Sequence, residues 1–273
     1  MLRERILNTQ LLPNQIALFY LGQKCFLLKY REKFFLFDAY LSDAVDRKHA
    51  DWDRGWKRRF PAPIAAEALD FVDYIFCSHA HTDHMDPDTL RVLAHVNQKA
   101  RYIVPAPLVD RLLACGVAQE HVIPAYADQP LQLGDTAVLP IPAAHEQLLP
   151  NEKGEYDALG YRLTCGEIIL YHAGDCCVYE GLSERIGIVH VMLLPVNGRS
   201  FYKLQNNIIG NMDCFEAVQL AQLAHAELLI PMHHDLYPAN GLSSAVFADA
   251  VENMNPAQAY HIFRPGERYI FSL

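Results

Sequence analysis

Four side chains that commonly bind metals lie within residues 79–84, which read HAHTDH. The segment follows the apolar stretch DYIFC, so it begins where a β-strand is expected to end. Side chains alternate along an extended chain, and His79 and His81 therefore point the same way. Asp83 and His84 can face a neighbouring point once the chain turns. Imidazole and carboxylate groups suit borderline divalent metals, so this segment predicts a metal site.

Further candidate ligands follow three other apolar stretches. His145 follows AVLPIPAA, Asp175 follows EIILYHAG, and His233 and His234 follow ELLIPM. In open α/β sheets, sites are built at the ends of strands, so these side chains are expected to join the first four. A carboxylate such as Asp175 can bridge two cations.

The elements that must position these residues alternate between strands and helices. Residues 22–39 and 160–175 each read as two apolar strands around a short polar turn, and an Asp ends each pattern (Asp38 and Asp175). These two hairpins indicate two similar β-rich halves. Further strands are predicted at Tyr74–Ser78, Tyr102–Pro105, Ala137–Ala143, Val189–Pro195 and Glu227–Pro231.

Capping residues predict the helices. Asp86 before Pro87 is typical of a helix start, and this helix is expected to run to about His95. Asp213 and Glu216 have capping-box spacing. Other helices are expected from Pro107 to Cys115, where Gly116 ends the helix, and after Ser243 or Ser244, and a closing hairpin is expected in HIFRPGERYIFSL. This mixture indicates one α/β layered domain over residues 1–273.

Composition excludes several functional classes. The chain has 273 residues, 51% of them hydrophobic, and a formal net charge of −9. Such an acidic surface disfavours extended nucleic acid, and no apolar run is long enough to span a bilayer. The seven cysteines contain no CxxC pair, and the N-terminus has no apolar export signal. We therefore expect reduced thiols in a cytoplasmic protein with no membrane contact.

The order and spacing of the HAHTDH segment, His145, Asp175 and His233 resemble those of the metallo-β-lactamase superfamily. The resemblance implies a four-layer αβ/βα sandwich with metals at the edge of the inner sheets. It implies that His79, His81 and His145 hold one divalent ion, that Asp83, His84 and His233 hold a second, and that Asp175 bridges them. It places Asp38 near the site as a structural residue.

A narrower resemblance covers the stretch that begins LLPVNGRSFYKLQ and ends HHDLYPAN. It is similar to the L-ascorbate-6-phosphate lactonases, the UlaG-like proteins. This resemblance implies a binuclear hydrolase that opens a sugar-phosphate lactone. Two ions about 3.5–4 Å apart would share a hydroxide as the nucleophile, which Asp83 would orient. The ligands suit Zn²⁺, Mn²⁺ or Fe²⁺.

A small anionic substrate requires cationic groups near the metals. Arg199 and Lys203 follow a predicted strand end and can bind a phosphate, and Tyr202 can line the same pocket. His234 is a candidate for stabilising an oxyanion or a leaving group. Members of the subfamily tend to assemble, so a homo-oligomer is expected.

Three other functions use the same residues. A phosphodiesterase acting on small or cyclic phosphodiesters needs the same ions. A diiron redox protein is less favoured, because such relatives typically carry Glu in place of the second His and a flavin domain, whereas His81 is present here. A non-catalytic scaffold would be expected to have lost ligands, yet every ligand position is filled.

Overall fold

The computed structural model describes residues 1–51 and 55–273. Within them the strands form two seven-stranded sheets. The first sheet has the spatial order β14-β1-β2-β3-β4-β5-β6. Its strands are β1 (Gln15–Gly22), β2 (Cys25–Tyr30), β3 (Lys33–Phe37), β4 (Tyr74–Phe76), β5 (Arg101–Pro105), β6 (Val122–Ala125) and β14 (Arg268–Ser272).

The second sheet has the same plan, with the spatial order β13-β12-β11-β10-β9-β8-β7. In each sheet an antiparallel part is followed by a parallel part, so the two halves that the hairpins predicted are confirmed. The strands are β7 (Leu131–Leu133), β8 (Thr136–Pro142), β9 (Leu159–Cys165), β10 (Ile168–His172), β11 (Val191–Pro195), β12 (Leu228–Met232) and β13 (Ala259–Tyr260).

Helices cover the outer faces of the two sheets. The capping predictions are confirmed: Asp86 caps a helix that starts at Pro87, Asp213 and Glu216 form a capping box, and Ser243 caps the helix that follows it. None of the helices in the described ranges is long and apolar enough to cross a bilayer. The helices are α1 (Leu2–Leu7), α2 (Ala44–Lys48), α3 (Pro87–Val96), α4 (Val109–Leu113), α5 (Leu182–Ile186), α6 (Phe201–Gln205), α7 (Cys214–Leu223) and α8 (Ser244–Met254).

Alternation along the strands builds two separate cores. In β2, Phe26 and Leu28 belong to the large core between the sheets, whereas Leu27 packs in a second core with Leu90 and Leu93 of α3. Because side chains of successive residues point to opposite faces, a strand covered on both faces is apolar throughout. This arrangement is the expected four-layer αβ/βα sandwich.

The seven cysteines are free and buried, as expected. Three of them directly adjoin, in sequence, residues that lie near the predicted site: Cys25, Cys77 and Cys176. Burial raises the pKa of Cys25 and of Cys176 to about 12, and it raises the pKa of Cys77 well above its ordinary value. All three therefore remain protonated thiols at neutral pH.

The predicted closing hairpin is wrong. β13 pairs with β12 in the second sheet, whereas β14 pairs with β1 in the first sheet. The turn around Gly266, with a positive φ of 79°, carries the chain from one sheet to the other. Two apolar segments around a Pro-Gly turn indicate a local hairpin, but each pairs instead with another strand that is more distant in sequence.

The strand ends on one edge of the two sheets carry the predicted site residues. Asp38 follows β3 and Ser78 follows β4, and these parallel strands are in register at Phe37 and Phe76. In the second sheet, Asp175 follows β10 and His233 follows β12. Because both sheets present carboxyl ends of strands at this edge, the side chains converge there.

Gly174 allows the two sheets to approach closely at this edge. Its φ is +62°, and a Cβ built there would lie 2.6 Å from the Cβ of Ser78. Any side chain at this position would push the Asp175 loop away from the segment that carries His79. Glycine is therefore required both for the backbone conformation and for the contact between sheets.

We predict that Gly174→Ala lowers the free energy of unfolding of the metal-free protein by about 2–3 kcal/mol, from backbone strain plus the clash with Ser78. Gly181→Ala is the matched control, since Gly181 has a φ of +85° and a Cβ added there would have nothing within 4 Å. That control should lose about 1 kcal/mol, from strain alone. Equal losses in urea unfolding would show that the contact with Ser78 does not matter.

Candidate metal centre

The structure brings together all seven side chains that the sequence predicts as metal ligands. They form two groups, and within each group the potential ligand atoms lie within 4.8 Å of one another. The first group contains His79, His81, His145 and Asp175, and the second contains Asp83, His84 and His233. The alternation argument for His79 and His81 agrees with their shared group.

Two nitrogen atoms of the first group lack the partners that a buried polar atom requires. Nε2 of His79 and Nδ1 of His145 are buried and have no hydrogen-bond partner in the described chain. Nε2 of His145 shares a 3.1 Å hydrogen bond with Nδ1 of His81. Buried imidazole nitrogens without a partner are costly unless a cation satisfies them. The first group therefore fits a divalent metal ion.

Burial keeps these imidazoles in the form that binds metals. It lowers the pKa of His79 well below its ordinary value, it lowers the pKa of His81, and it lowers the pKa of His145 to about 4. A histidine must be neutral to coordinate a metal ion. The three side chains consequently need not lose a proton before they bind an ion at neutral pH.

Asp175 faces both groups. Its carboxylate belongs to the first group, and its Oδ1 also lies 3.2 Å from Nε2 of His84 and 3.4 Å from Nε2 of His233. Burial would raise the pKa of Asp175, but the neighbouring Lys24 and the two histidines hold it well below its usual range. An ionised carboxylate between two ligand groups is what a bridging role requires.

Asp38 orients a ligand of the second group. Nδ1 of His84 donates to Oδ2 of Asp38 over 2.7 Å, and the backbone N–H and hydroxyl of Ser78 also donate to this carboxylate. Burial would raise the pKa of Asp38, yet His84 holds it below its ordinary value. A bond of this kind fixes the tautomer of the histidine and directs Nε2 toward the metal site. Asp38 is thus a structural residue, as the resemblance implied.

Lys24 is the residue that sequence analysis missed. Its side chain is fully buried, and Nζ lies 2.6 Å from Oδ2 of Asp83, 3.5 Å from Oδ1 of Asp175, and in contact with Nε2 of His84. The signal that could have found it is strand pairing. Because β2 runs antiparallel to β3, with Phe26 opposite Phe37, the turn before β2 lies at the same edge as Asp38.

Two cavities open onto the groups. One, of about 190 Å³, reaches His81, Asp83 and His233, and Lys48 also lines it. Its other lining residues include His49 and Trp56, whose rings stack 4.7 Å apart, and Asn240. The second cavity reaches His79, His81 and His145. A small molecule can therefore approach the metal ligands from solvent.

The predicted substrate-binding residues lie outside these two cavities. Arg199 pairs with Glu216, and Nζ of the buried Lys203 donates to the carbonyl oxygens of Asn197 and Gly198. Both line a different cavity. Tyr202 is 47% exposed and lines none of the three cavities. Phosphate binding by these residues stays a prediction that the contacts do not support.

His234 is buried but belongs to neither ligand group. It follows His233 directly, just beyond the end of β12. Burial lowers the pKa of His234, and the charges of Asp235 and Arg59 have smaller effects in opposite directions. A catalytic role for His234 stays a prediction.

Two packed mixed sheets with histidines and carboxylates gathered at one edge define the metallo-β-lactamase class of fold. The chain belongs to the β-lactamase superfamily, since the family profile described as "Beta-lactamase superfamily domain" matches residues 34–234.

Two curated relatives are similar over most of their length. A "UPF0173 metal-dependent hydrolase" from Opitutus terrae is 29% identical over 92% of this chain and 98% of its own, and one from Hyperthermus butylicus is 25% identical over 79% and 89%. Among solved structures, Igni18, a metallo hydrolase from Ignicoccus hospitalis, has a TM-score of 0.71 at 20% identity and covers 95% of this chain and 99% of its own.

We predict that Asp175→Ala weakens metal binding by ~100-fold or more, because the first group loses its carboxylate. The measurement is metal content after dialysis against buffered Zn²⁺. Asp157→Ala is the matched control, since the exposed Asp157 lines the second cavity but belongs to neither group. Unchanged metal content in Asp175→Ala would exclude this residue as a ligand.

We also predict that the metal-free protein loses stability between pH 6.5 and about 4. The unfolded state binds protons at histidine below pH ~6.5, whereas the folded state keeps His145 neutral down to about 4. The stability that His145 contributes is therefore complete above the unfolded pKa and is lost as the pH falls toward about 4. Urea unfolding at pH 7.5 and 5.5 measures this loss.

The variant His145→Gln removes one contribution and should show a smaller loss between these two pH values. His95→Gln changes an exposed histidine of α3 and should behave like the unmodified protein. If both variants kept the full pH dependence, His145 would not be a source of it.

Proposed function

We propose that this protein is a metal-dependent hydrolase that opens a lactone of a small phosphorylated sugar, such as L-ascorbate 6-phosphate. The observation that carries the hydrolase proposal is the first ligand group, in which Nε2 of His79 is buried and unpaired beside two further imidazoles and a carboxylate. The matched superfamily and the metal-dependent hydrolases among its relatives support the same class.

His79, His81, His145 and Asp175 would hold the ion. A bound divalent ion supplies Lewis acidity and lowers the pKa of water toward neutrality, so no protein nucleophile is needed. Zn²⁺, Mn²⁺ and Fe²⁺ all suit these ligands. The expectation of a second ion at Asp83, His84 and His233 has to account for Lys24, whose side chain already lies among those donors.

Asp83 would orient the attacking water. Its carboxylate lines the cavity of about 190 Å³, and Gln23 and Lys24 both donate to its Oδ2. Burial would raise the pKa of Asp83, but Lys24 holds it well below its ordinary value. An ionised carboxylate fixed by two donors can accept a hydrogen bond from water and direct a lone pair toward a carbonyl carbon.

The lactone proposal rests on the sequence resemblance, and the cavity is compatible with it. The cavity of about 190 Å³ is of a size that suits a small molecule. Lys48, at the end of α2, lines this cavity and offers a cation that could bind a phosphate group in an otherwise acidic protein. Arg199, the cation that the sequence favoured, instead pairs with Glu216.

A substrate panel with the metal-loaded protein tests the proposal. We expect turnover of phosphorylated sugar lactones, loss of turnover after chelation, and recovery when the metal is returned. Preferential turnover of bis-p-nitrophenyl phosphate or of a cyclic nucleotide would favour the phosphodiesterase alternative. Absence of turnover in a fully loaded sample would favour a scaffold.

Two single variants test phosphate recognition. We predict that Lys48→Ala raises KM for the phosphorylated lactone by ~10-fold and leaves KM for the unphosphorylated analogue nearly unchanged, because one charge-assisted contact is lost. Arg199→Ala should change both values little, since its guanidinium lines a different cavity. The opposite ranking of the variants would assign phosphate binding to Arg199, as the sequence suggested.

A further inference from the structure

The turn between β1 and β2 holds Lys24 in a fixed position. The carbonyl oxygen of Lys24 accepts a hydrogen bond from Nε2 of His172 over 3.1 Å. His172 is itself buried, and its ring stacks on Phe37 at 4.9 Å with an angle of 14° between the planes. The backbone of Lys24 in the first sheet is thereby anchored to the end of β10 in the second sheet.

The side chain of Lys24 ends among the donors of the second ligand group. Its Nζ donates to Asp83 over 2.6 Å, contacts Nε2 of His84, and lies 3.5 Å from Asp175. The side chain is completely buried, so bulk solvent does not reach its charge. One ammonium group thus contacts an imidazole and two carboxylates that would otherwise face a metal ion.

A divalent ion at this group would compete with the ammonium for the same space. Zn²⁺ lies ~2.0–2.2 Å from nitrogen and oxygen ligands, so it would occupy nearly the position that Nζ takes. Two like charges within a few ångströms also repel strongly where water is excluded. Expelling the lysine would in turn require moving a buried side chain whose backbone His172 holds.

We infer that the Lys24 ammonium is the resident cation of the second ligand group, so the protein binds a single divalent ion, at His79, His81, His145 and Asp175. The inference rests on the proposed function only for that single ion. It replaces the two-ion arrangement implied by the family resemblance. The positive charge of Lys24 balances the negative charges of Asp83 and Asp175, as a second ion would.

Metal binding to the unmodified protein tests this inference without any variant. Apoprotein is titrated with Mn²⁺ and with Zn²⁺, and bound metal is measured by elemental analysis. We expect one ion per chain, and an electron paramagnetic resonance spectrum of isolated Mn²⁺. A second ion of similar affinity, with the spin-coupled spectrum of two ions ~3.5–4 Å apart, would overturn the inference and leave the hydrolase proposal intact.

Lys24→Ala and Lys24→Leu remove the charge and are purified in the presence of metal, which can compensate the buried carboxylates. We expect both variants to bind a second ion at least ~100-fold more tightly than the unmodified protein does. Lys33→Ala is the matched control, because Lys33 begins the next strand and pairs at the surface with Asp73. It should retain the single ion.

The remaining outcomes are also decisive. Variants of Lys24 that still bind one ion would show that the lysine does not exclude the second. Loss of a second ion in these variants, when the unmodified protein binds two, would make Lys24 a metal ligand and overturn the inference. No binding by any of the proteins would overturn both this inference and the hydrolase proposal. If the variants do not fold, the spectrum of the unmodified protein decides.

Discussion

The burial of negative charge at the shared edge of the two sheets is the constraint on which the site depends. Asp38 and Asp175 are almost completely buried, and Asp83 is mostly so. A carboxylate in such surroundings must be paired or coordinated. Lys24 and the imidazoles are arranged around these three groups to meet that requirement, and the same arrangement leaves a set of unpaired nitrogens that a metal ion can satisfy.

The fold meets this constraint by contributing from both halves. The first sheet supplies the HAHTDH segment, Asp38 and the turn with Lys24, and the second supplies His145, Asp175 and His233. Gly174 lets the two strand ends approach, and the bond from His172 to the Lys24 carbonyl ties them. Each half alone holds an incomplete ligand set, so the full set forms only where the two similar halves meet.

Local sequence patterns predicted those features of the fold and site that depend on interactions between neighbouring residues. The HAHTDH spacing, the two hairpins and the caps at Asp86 and Asp213 were all read from neighbouring residues. The prediction of a terminal hairpin was wrong because β14 pairs with β1, more than 240 residues away in sequence. Lys24 was missed for a similar reason: a lysine in a tight turn suggests solvent exposure, and only the packing of the two sheets buries it.

The protonated state of the three thiols next to the site residues limits which donor atoms the candidate centre could offer to a metal ion. Cys25, Cys77 and Cys176 point into the hydrophobic cores, where burial raises their pKa values. No thiolate is thus offered to a soft ion, although sulfur lies within one or two positions of several donors along the chain. A metal ion bound here would have only nitrogen and oxygen ligands, which suit zinc, manganese or iron, and it would have no sulfur ligand that oxidation could remove.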